Sequence, residues 1–193
     1  MSTGGIIAIV VVVVIVLIIA MIIGAYNGLV KLDERVNEAW SDITVQLKYR
    51  ADLIPNVVET VKGYAKHEKD TFKMATEARS AAMGAKTVKQ AAEAEKEMQS
   101  ALGKIFAIAE AYPELKADEN FKTLQIQLQD VEDKIQAARR FYNAGAKELN
   151  IKIKTFPTNL INNFVGHFKK REYFEVEEAE KVKIEKAPEV KFD

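Results

Sequence analysis

The chain opens on an uninterrupted apolar run. Residues Ile6 to Ile23 read IIAIVVVVVIVLIIAMII, 18 uncharged positions, and Gly24 and Ala25 extend it. At a rise of ~1.5 Å per residue, about 20 such residues cross the ~30 Å hydrocarbon core of a bilayer. Val and Ile favour strand in water, but in lipid each backbone polar group must bond within its own segment, so the run is predicted to be helical. Tyr26 follows where an interfacial aromatic is expected. A cleaved signal peptide is the rival reading. Against it, no Lys or Arg precedes the run, the run exceeds the usual ~7–15 apolar residues, and Gly24-Ala25-Tyr26 is a poor cleavage site. An uncleaved transmembrane anchor is therefore expected over residues 6–25, after a short flank at 1–5.

Beyond Tyr26 the pattern changes to a 3–4 spacing. Leu29, Leu32, Val36, Ala39 or Trp40, Ile43 and Leu47 place an apolar seam on one helix face. No Gly or Pro interrupts from Leu29 to Ile54, so the anchor is expected to continue straight into this first soluble helix. Pro55 predicts a break near residues 51–55, with Asp52 capping a second helix over Leu53–Met83 and Gly84 stopping it. Thr87 begins a third helix, whose seam is Ala91, Ala94, Met98, Leu102, Ile105, Ala109 and Tyr112, and Pro113 ends it. A fourth carries Phe121, Leu124, Leu128, Val131, Ile135, Ala138, Tyr142 and Leu149, with Asp118 or Asn120 as cap and Gly145 at one seam position. The fold class is thus all-α: an N-terminal transmembrane helix continuing into a bundle of four long antiparallel helices over 26–156.

After Pro157 the character changes again. Residues 157–171 form a short amphipathic basic segment, with Thr158 as cap, Leu160, Ile161, Phe164, Val165 and Phe168 on one face, and Lys169, Lys170 and Arg171 directly after. From 172 to 193 there are eight acidic residues and four Lys, a net of −4, and this tail is expected to be extended or disordered.

Composition narrows the chemistry. The 28 Lys+Arg and 28 Asp+Glu balance to zero, which argues against a nucleic-acid partner. Zero Cys excludes disulfides, thiolate metal sites and a cysteine nucleophile. Neither His67 nor His167 forms a Glu-x-x-His pair, so a ferritin-like di-metal site is not expected. No phosphate-binding glycine loop, nucleophile elbow or zinc-protease motif occurs. No catalytic residue, metal ligand or cofactor is assigned. Arg50 to Asn56 reads either as a polar recognition corner or as a mechanical one, with Arg50 as an ion-pair partner. Lys31 and Arg35 follow the anchor while MSTGG carries no basic side chain, so the large domain is expected in the cytoplasm.

Several motifs resemble the LemA family. They are Tyr26-Asn27-Gly28-Leu29-Val30, AWSDITVQLKYRADLIPNVVETVKGYAKHE over Ala39–Glu68, GKIFAIAEAYPELKADENF over Gly103–Phe121, RRFYNAGAKELN over Arg139–Asn150, FPTNLI over Phe156–Ile161, and the YFE at Tyr173–Glu175. They cover almost the whole chain after the anchor, in order. Thr44 and Tyr49 depart from the family pattern, where Asp and Arg are expected. The resemblance implies a single-pass protein of the bacterial inner membrane, a domain of long antiparallel helices and no established enzymatic activity. Divergent relatives occur in magnetosome membranes. No site residues are carried over.

The function expected is a membrane-anchored helical scaffold or adaptor, not an enzyme, assembling with its own copies or with an unidentified membrane protein. Between Ile6 and Ile23 the anchor has no polar residue and no small-xxx-small motif, so assembly would be driven mainly by the soluble domain. Ile126, Phe106, Ile108 and Phe141 lie outside a single seam and are the apolar residues available for it. The alternative is membrane shaping by direct lipid contact through Leu160, Ile161, Phe164, Phe168, Lys169, Lys170 and Arg171. The bland reading of that segment is a helix docked on the bundle. A small-molecule sensor or unrecognised enzyme is the third reading.

Overall fold

Helix α1 runs from Thr3 to Tyr64, 62 residues without a break. The apolar run is therefore the first part of a helix that continues into the soluble domain, as the uninterrupted pattern predicts. The computed structural model describes residues 2–175, and no strand occurs among them. After α1 come α2 (Lys69–Gly84), α3 (Val88–Ala111), α4 (Pro113–Ala117), α5 (Glu119–Lys152), α6 (Thr158–Ile161) and a π-helical turn at Asn162–Gly166. The chain divides into two compact units, one of residues 1–42 and 140–171, the other of residues 43–139 and 172–193. Helices α1 and α5 contribute to both.

In the first unit, Leu29, Leu32, Val36 and Ala39 on α1 and Tyr142, Ala146 and Leu149 on α5 are buried. The two helices run antiparallel: Arg35 pairs with Glu148 at 3.6 Å and the Trp40 and Tyr142 rings lie 5.9 Å apart. Gly145 has a steric reason. A Cβ there would stand 3.3 Å from Val36 Cγ2, tighter than ordinary packing allows, so glycine permits the close approach. Trp40 is half-buried rather than a core residue.

The second unit overturns one expectation. Pro55 lies inside α1, and there is no helix break at residues 51–55. A proline in a helix interior removes the hydrogen bond to the carbonyl four residues earlier, here that of Ala51. That carbonyl accepts instead from Arg79 Nε of α2, at 3.0 Å. Asp52 is accordingly not a cap; it sits mid-helix with Arg79 Nη2 3.9 Å away. The chain turns at Ala65–Glu68, so the second helix begins at Lys69 and not at Leu53, and His67 lies in that turn.

The other boundaries fall as expected. Gly84 ends α2. Thr87 caps α3, its hydroxyl accepting from the Gln90 amide while the Gln90 side chain accepts from the Thr87 amide, a reciprocal capping box. Ala75, Ala78, Ala91, Ala94 and Ala101 are buried, and α2 packs on α3 through these short side chains. Pro113 opens the short α4. Asp118 caps α5: its Oδ1 accepts from the Phe121 amide at 2.8 Å and its Oδ2 from the Tyr64 hydroxyl at 2.9 Å. Phe121, Leu128, Val131 and Ile135 form the buried face of α5. Ile108 is buried in this core, and Phe106, half-buried, packs edge-on against Phe121. Phe174 is buried with the Arg139 guanidinium 4.6 Å from its ring centroid. The rest of the acidic tail, 176–193, including the alternating Lys181–Ile184, lies outside the described residues.

Two outcomes follow. Leu128→Asp places a charge in the buried face of α5 and should lower the thermal midpoint by roughly 10 °C, read by circular dichroism. Capping holds the Asp118 carboxyl below its ordinary value of 3.8, chiefly through the Phe121 amide and then the Tyr64 hydroxyl. A depressed folded pKa stabilises the fold above the unfolded value, and that contribution fades as pH falls through the folded one. Asp118→Asn should therefore be less stable than the wild type at neutral pH, and the gap should close in acid denaturation below about pH 4.

Candidate functional site

The second unit buries a charge cluster in its interior. Arg50 of α1 is 1% exposed and Glu95 of α3 is 4% exposed. Arg50 occupies a seam position between Leu47 and Ile54, so the turn that buries its apolar neighbours buries it too. Its guanidinium grips Glu95 by two parallel contacts, Nη1 to Oε1 at 2.9 Å and Nη2 to Oε2. Nη1 also donates to Glu132 Oε2 of α5 at 2.7 Å. Gln99 donates to Glu95 and Gln136 to Glu132, each from one turn further along the same helix. Arg50 Nε is buried with no hydrogen-bond partner among the described residues.

One cation faces two carboxylates, so the cluster carries a formal charge of −1. The excess lies on Glu132, whose side chain is 22% exposed and reaches water. Burial alone would lower the Arg50 pKa. Hydrogen bonding to Glu95 and the charges of Glu95 and Glu132 outweigh it, and the guanidinium is held above its ordinary value. Two hollows of this unit are open depressions, one lined by Ala81, Gln90 and Glu97, the other by Asn56, Thr60 and Thr123, and neither borders Arg50. No grouping of three or more His, Asp or Glu able to hold a metal ion occurs among the described residues.

The first unit carries the proposed lipid-facing residues. The expected single helix over 158–168 is instead α6 followed by the π turn, which ends at His167 in the left-handed region, φ 53°. Asn162 sets this geometry: its side-chain oxygen accepts from the Phe168 amide at 2.8 Å, and its nitrogen donates to the Phe168 carbonyl at 3.1 Å. Asn150 does the same for Arg171, at 2.8 and 2.9 Å. Thr158 is buried and does not cap α6; Pro157 is the residue before it.

Of the seven candidate residues, the structure keeps four on the surface. Leu160, Phe164, Lys169 and Lys170 are exposed, Phe164 by 81%. Ile161 is buried. Phe168 is half-buried, its ring 6.0 Å from that of Tyr26. Arg171 is engaged with α1, donating to Asp33 at 2.8 Å and to Asn37 at 2.9 Å. Phe156 and Val165 add exposed apolar surface to the same segment.

A family model described as LemA family matches residues 39–192. The chain belongs to the LemA family. LemA-family relatives include Magnetosome protein MamQ 1 and MamQ 2 of Paramagnetospirillum magneticum, each 26% identical over 182 residues that cover 81% of this chain and 66% of the relative. Protein LemA of Metamycoplasma hominis is 29% identical over 140 residues, covering 72% of this chain and 64% of that protein. The chain thus spans just under two thirds of the length of these LemA-family relatives. With one helix among the described residues long and apolar enough to cross a bilayer, this LemA-family chain is a membrane-associated protein.

The charge cluster yields a stability test. Arg50→Leu leaves Glu95 buried without its partner and should cost about 3–5 kcal/mol in denaturant unfolding. Adding Glu95→Leu should recover more than half of that loss, because an apolar pair of similar volume replaces a desolvated ion pair.

Proposed function

We propose that this protein is a non-enzymatic scaffold, anchored in the membrane by α1, with its helical domain on the cytoplasmic side and self-associating there. The observation that carries this reading is the continuity of α1. The apolar run and the helix on which the domain is built are one element of 62 residues, with no linker to disengage them. The internal pairing of Arg50, Glu95 and Glu132 supports a mechanical role for the one buried charge cluster described above.

Orientation draws on more than the linear flank. Beside Lys31 and Arg35, Lys169 and Lys170 lie between Phe168, whose ring is against Tyr26, and Arg171, which bonds Asp33, and Lys152 closely follows Asn150, which bonds Arg171. Basic residues close to a span favour the cytoplasmic side. Self-association is supported by apolar side chains left on the surface: Val45, Tyr49 and Ile126 in the second unit and Phe141 in the first. Single exposed apolar residues are ordinary, but a helix apolar on more than one side is often shared with a neighbour.

Light scattering in mild detergent tests the assembly. The full-length protein should run as a defined multimer, and the chain deleted through Ala25 should retain concentration-dependent association. Ile126→Lys should weaken that association and leave the melting midpoint near the wild-type value. A strict monomer in both forms would overturn the reading. A full-length multimer with a monomeric deletion chain would assign the assembly to the anchor.

A further inference from the structure

We propose that the segment from Lys152 to Lys170 is a second membrane contact, an interfacial loop that inserts Phe156, Leu160, Phe164 and Val165 into the bilayer surface and sets Lys152, Lys154, Lys169 and Lys170 against anionic lipid headgroups. It rests on the reading of α1 as an anchor, and it concerns the leaflet through which α1 leaves the membrane.

Position comes first. If Ile6–Ala25 fills the hydrocarbon core, Tyr26 stands at headgroup depth. The Phe168 ring packs on Tyr26 at 6.0 Å, so the loop lies at that depth as well. Ile22, four residues earlier and still inside the apolar run, is the first residue after Ile6 with partial cover; every position from Ile6 to Met21 is exposed. A second tie fixes the far end. Arg171 bonds Asp33, seven residues beyond Tyr26 and therefore about 10 Å further along the axis. Three residues of extended chain span a similar ~10 Å, so the chain between Arg171 and Phe168 descends α1 toward the lipid. Helix α5 descends beside it, with Gly145 against Val36 and Glu148 near Arg35. The loop is what the chain builds when both descents reach the bilayer.

Chemistry agrees with position. Between Glu148 and Glu172 there is no acidic residue, while Lys152, Lys154, Lys169, Lys170 and Arg171 give +5. Arg171 is taken up by Asp33; the four lysines are exposed. Phe156 is 74% exposed and Phe164 81%, unusual for Phe on a surface facing only water. Aromatic and aliphatic tips ringed by Lys are the composition of interfacial membrane contacts. The loop is also pre-formed. Asn150 and Asn162 satisfy backbone groups of Arg171 and Phe168 that would otherwise need water, so insertion does not require the segment to order itself.

The native chain has no Cys, so single cysteines report cleanly. Full-length Phe164→Cys, Glu38→Cys and Val12→Cys, each carrying an environment-sensitive fluorophore, would be reconstituted into phosphatidylcholine vesicles with or without phosphatidylglycerol. Quenchers are lipids labelled near the headgroup or deep on the acyl chain, and aqueous iodide. The probe at 164 should be quenched by the lipid and shielded from iodide, and the probe at 38 should show the reverse. Phosphatidylglycerol should strengthen lipid quenching at 164, and changing Lys152, Lys154, Lys169 and Lys170 to Gln should reduce the docked-to-undocked ratio by up to about fivefold per lysine. Lipid quenching at 12 with none at 164 overturns the loop contact and leaves the anchor intact. No lipid quenching at 12 overturns the anchor, and the loop contact with it. A probe at 164 shielded from both quenchers, and released by diluting the protein in lipid, assigns the surface to a second copy and overturns the proposal.

Discussion

A helix can pass from hydrocarbon into water without interruption because its backbone bonds close within it in both media. That constraint organises α1 and, through α1, what packs on it. The same period of about 3.6 residues that shields peptide groups in lipid presents Leu29, Leu32, Val36 and Ala39 on one face in water. No second element has to hand the chain from one solvent to the other. The carbonyl that Pro55 leaves without its helical donor is answered from outside the helix, by the Arg79 side chain on Ala51.

The Arg50 cluster serves order rather than stability. Desolvating a guanidinium and a carboxylate costs about as much as their attraction returns, so an apolar core of the same volume would hold as well. What the ion cluster adds is uniqueness. The parallel contacts to Glu95 and the third to Glu132 are met together only in one register of α1, α3 and α5 within the second unit. Helices whose contacts are largely Ala, as in α2 and α3, slide more easily than helices keyed by large side chains, and a directional polar contact counters that freedom.

Much of this was legible in the residues. The apolar run, the 3–4 spacing, the Thr87 and Asp118 caps and the stops at Gly84 and Pro113 are local signals, and local signals survive into the fold. Pro55 misled because its remedy comes from Arg79, a residue 28 positions away with no sequence mark of its own. Glu95 and Glu132 were missed, yet a signal existed. Arg50 falls in the Ile43, Leu47, Ile54, Val57 series, and Glu95 falls between Ala91 and Met98 at the same spacing. Charges of opposite sign standing on apolar seams are a reason to look for one another. The loop over 157–168 was read as one helix because its apolar spacing is helical, whereas the Asn162 side chain diverts the backbone into a π turn. Which of its residues remain exposed depended on Tyr26 and Asp33, more than 130 positions earlier, and no local pattern carries that.

Gly24 lies between the bare part of α1 and the part held by the loop. A side chain there would meet nothing within 4 Å, so packing does not require the glycine. In a helix it weakens the local backbone by roughly 0.5–1 kcal/mol relative to alanine. Below it the helix is exposed from Ile6 to Met21, with partial cover at Ile22; two residues above it, Tyr26 is fastened to Phe168. Bilayers differ in thickness, and a span longer than the core it crosses relieves the mismatch by leaning. Gly24 is where α1 bends most cheaply, so a thicker or thinner membrane is met by a change of anchor tilt below the Tyr26 clasp, while the seam from Leu29 onward keeps its packing.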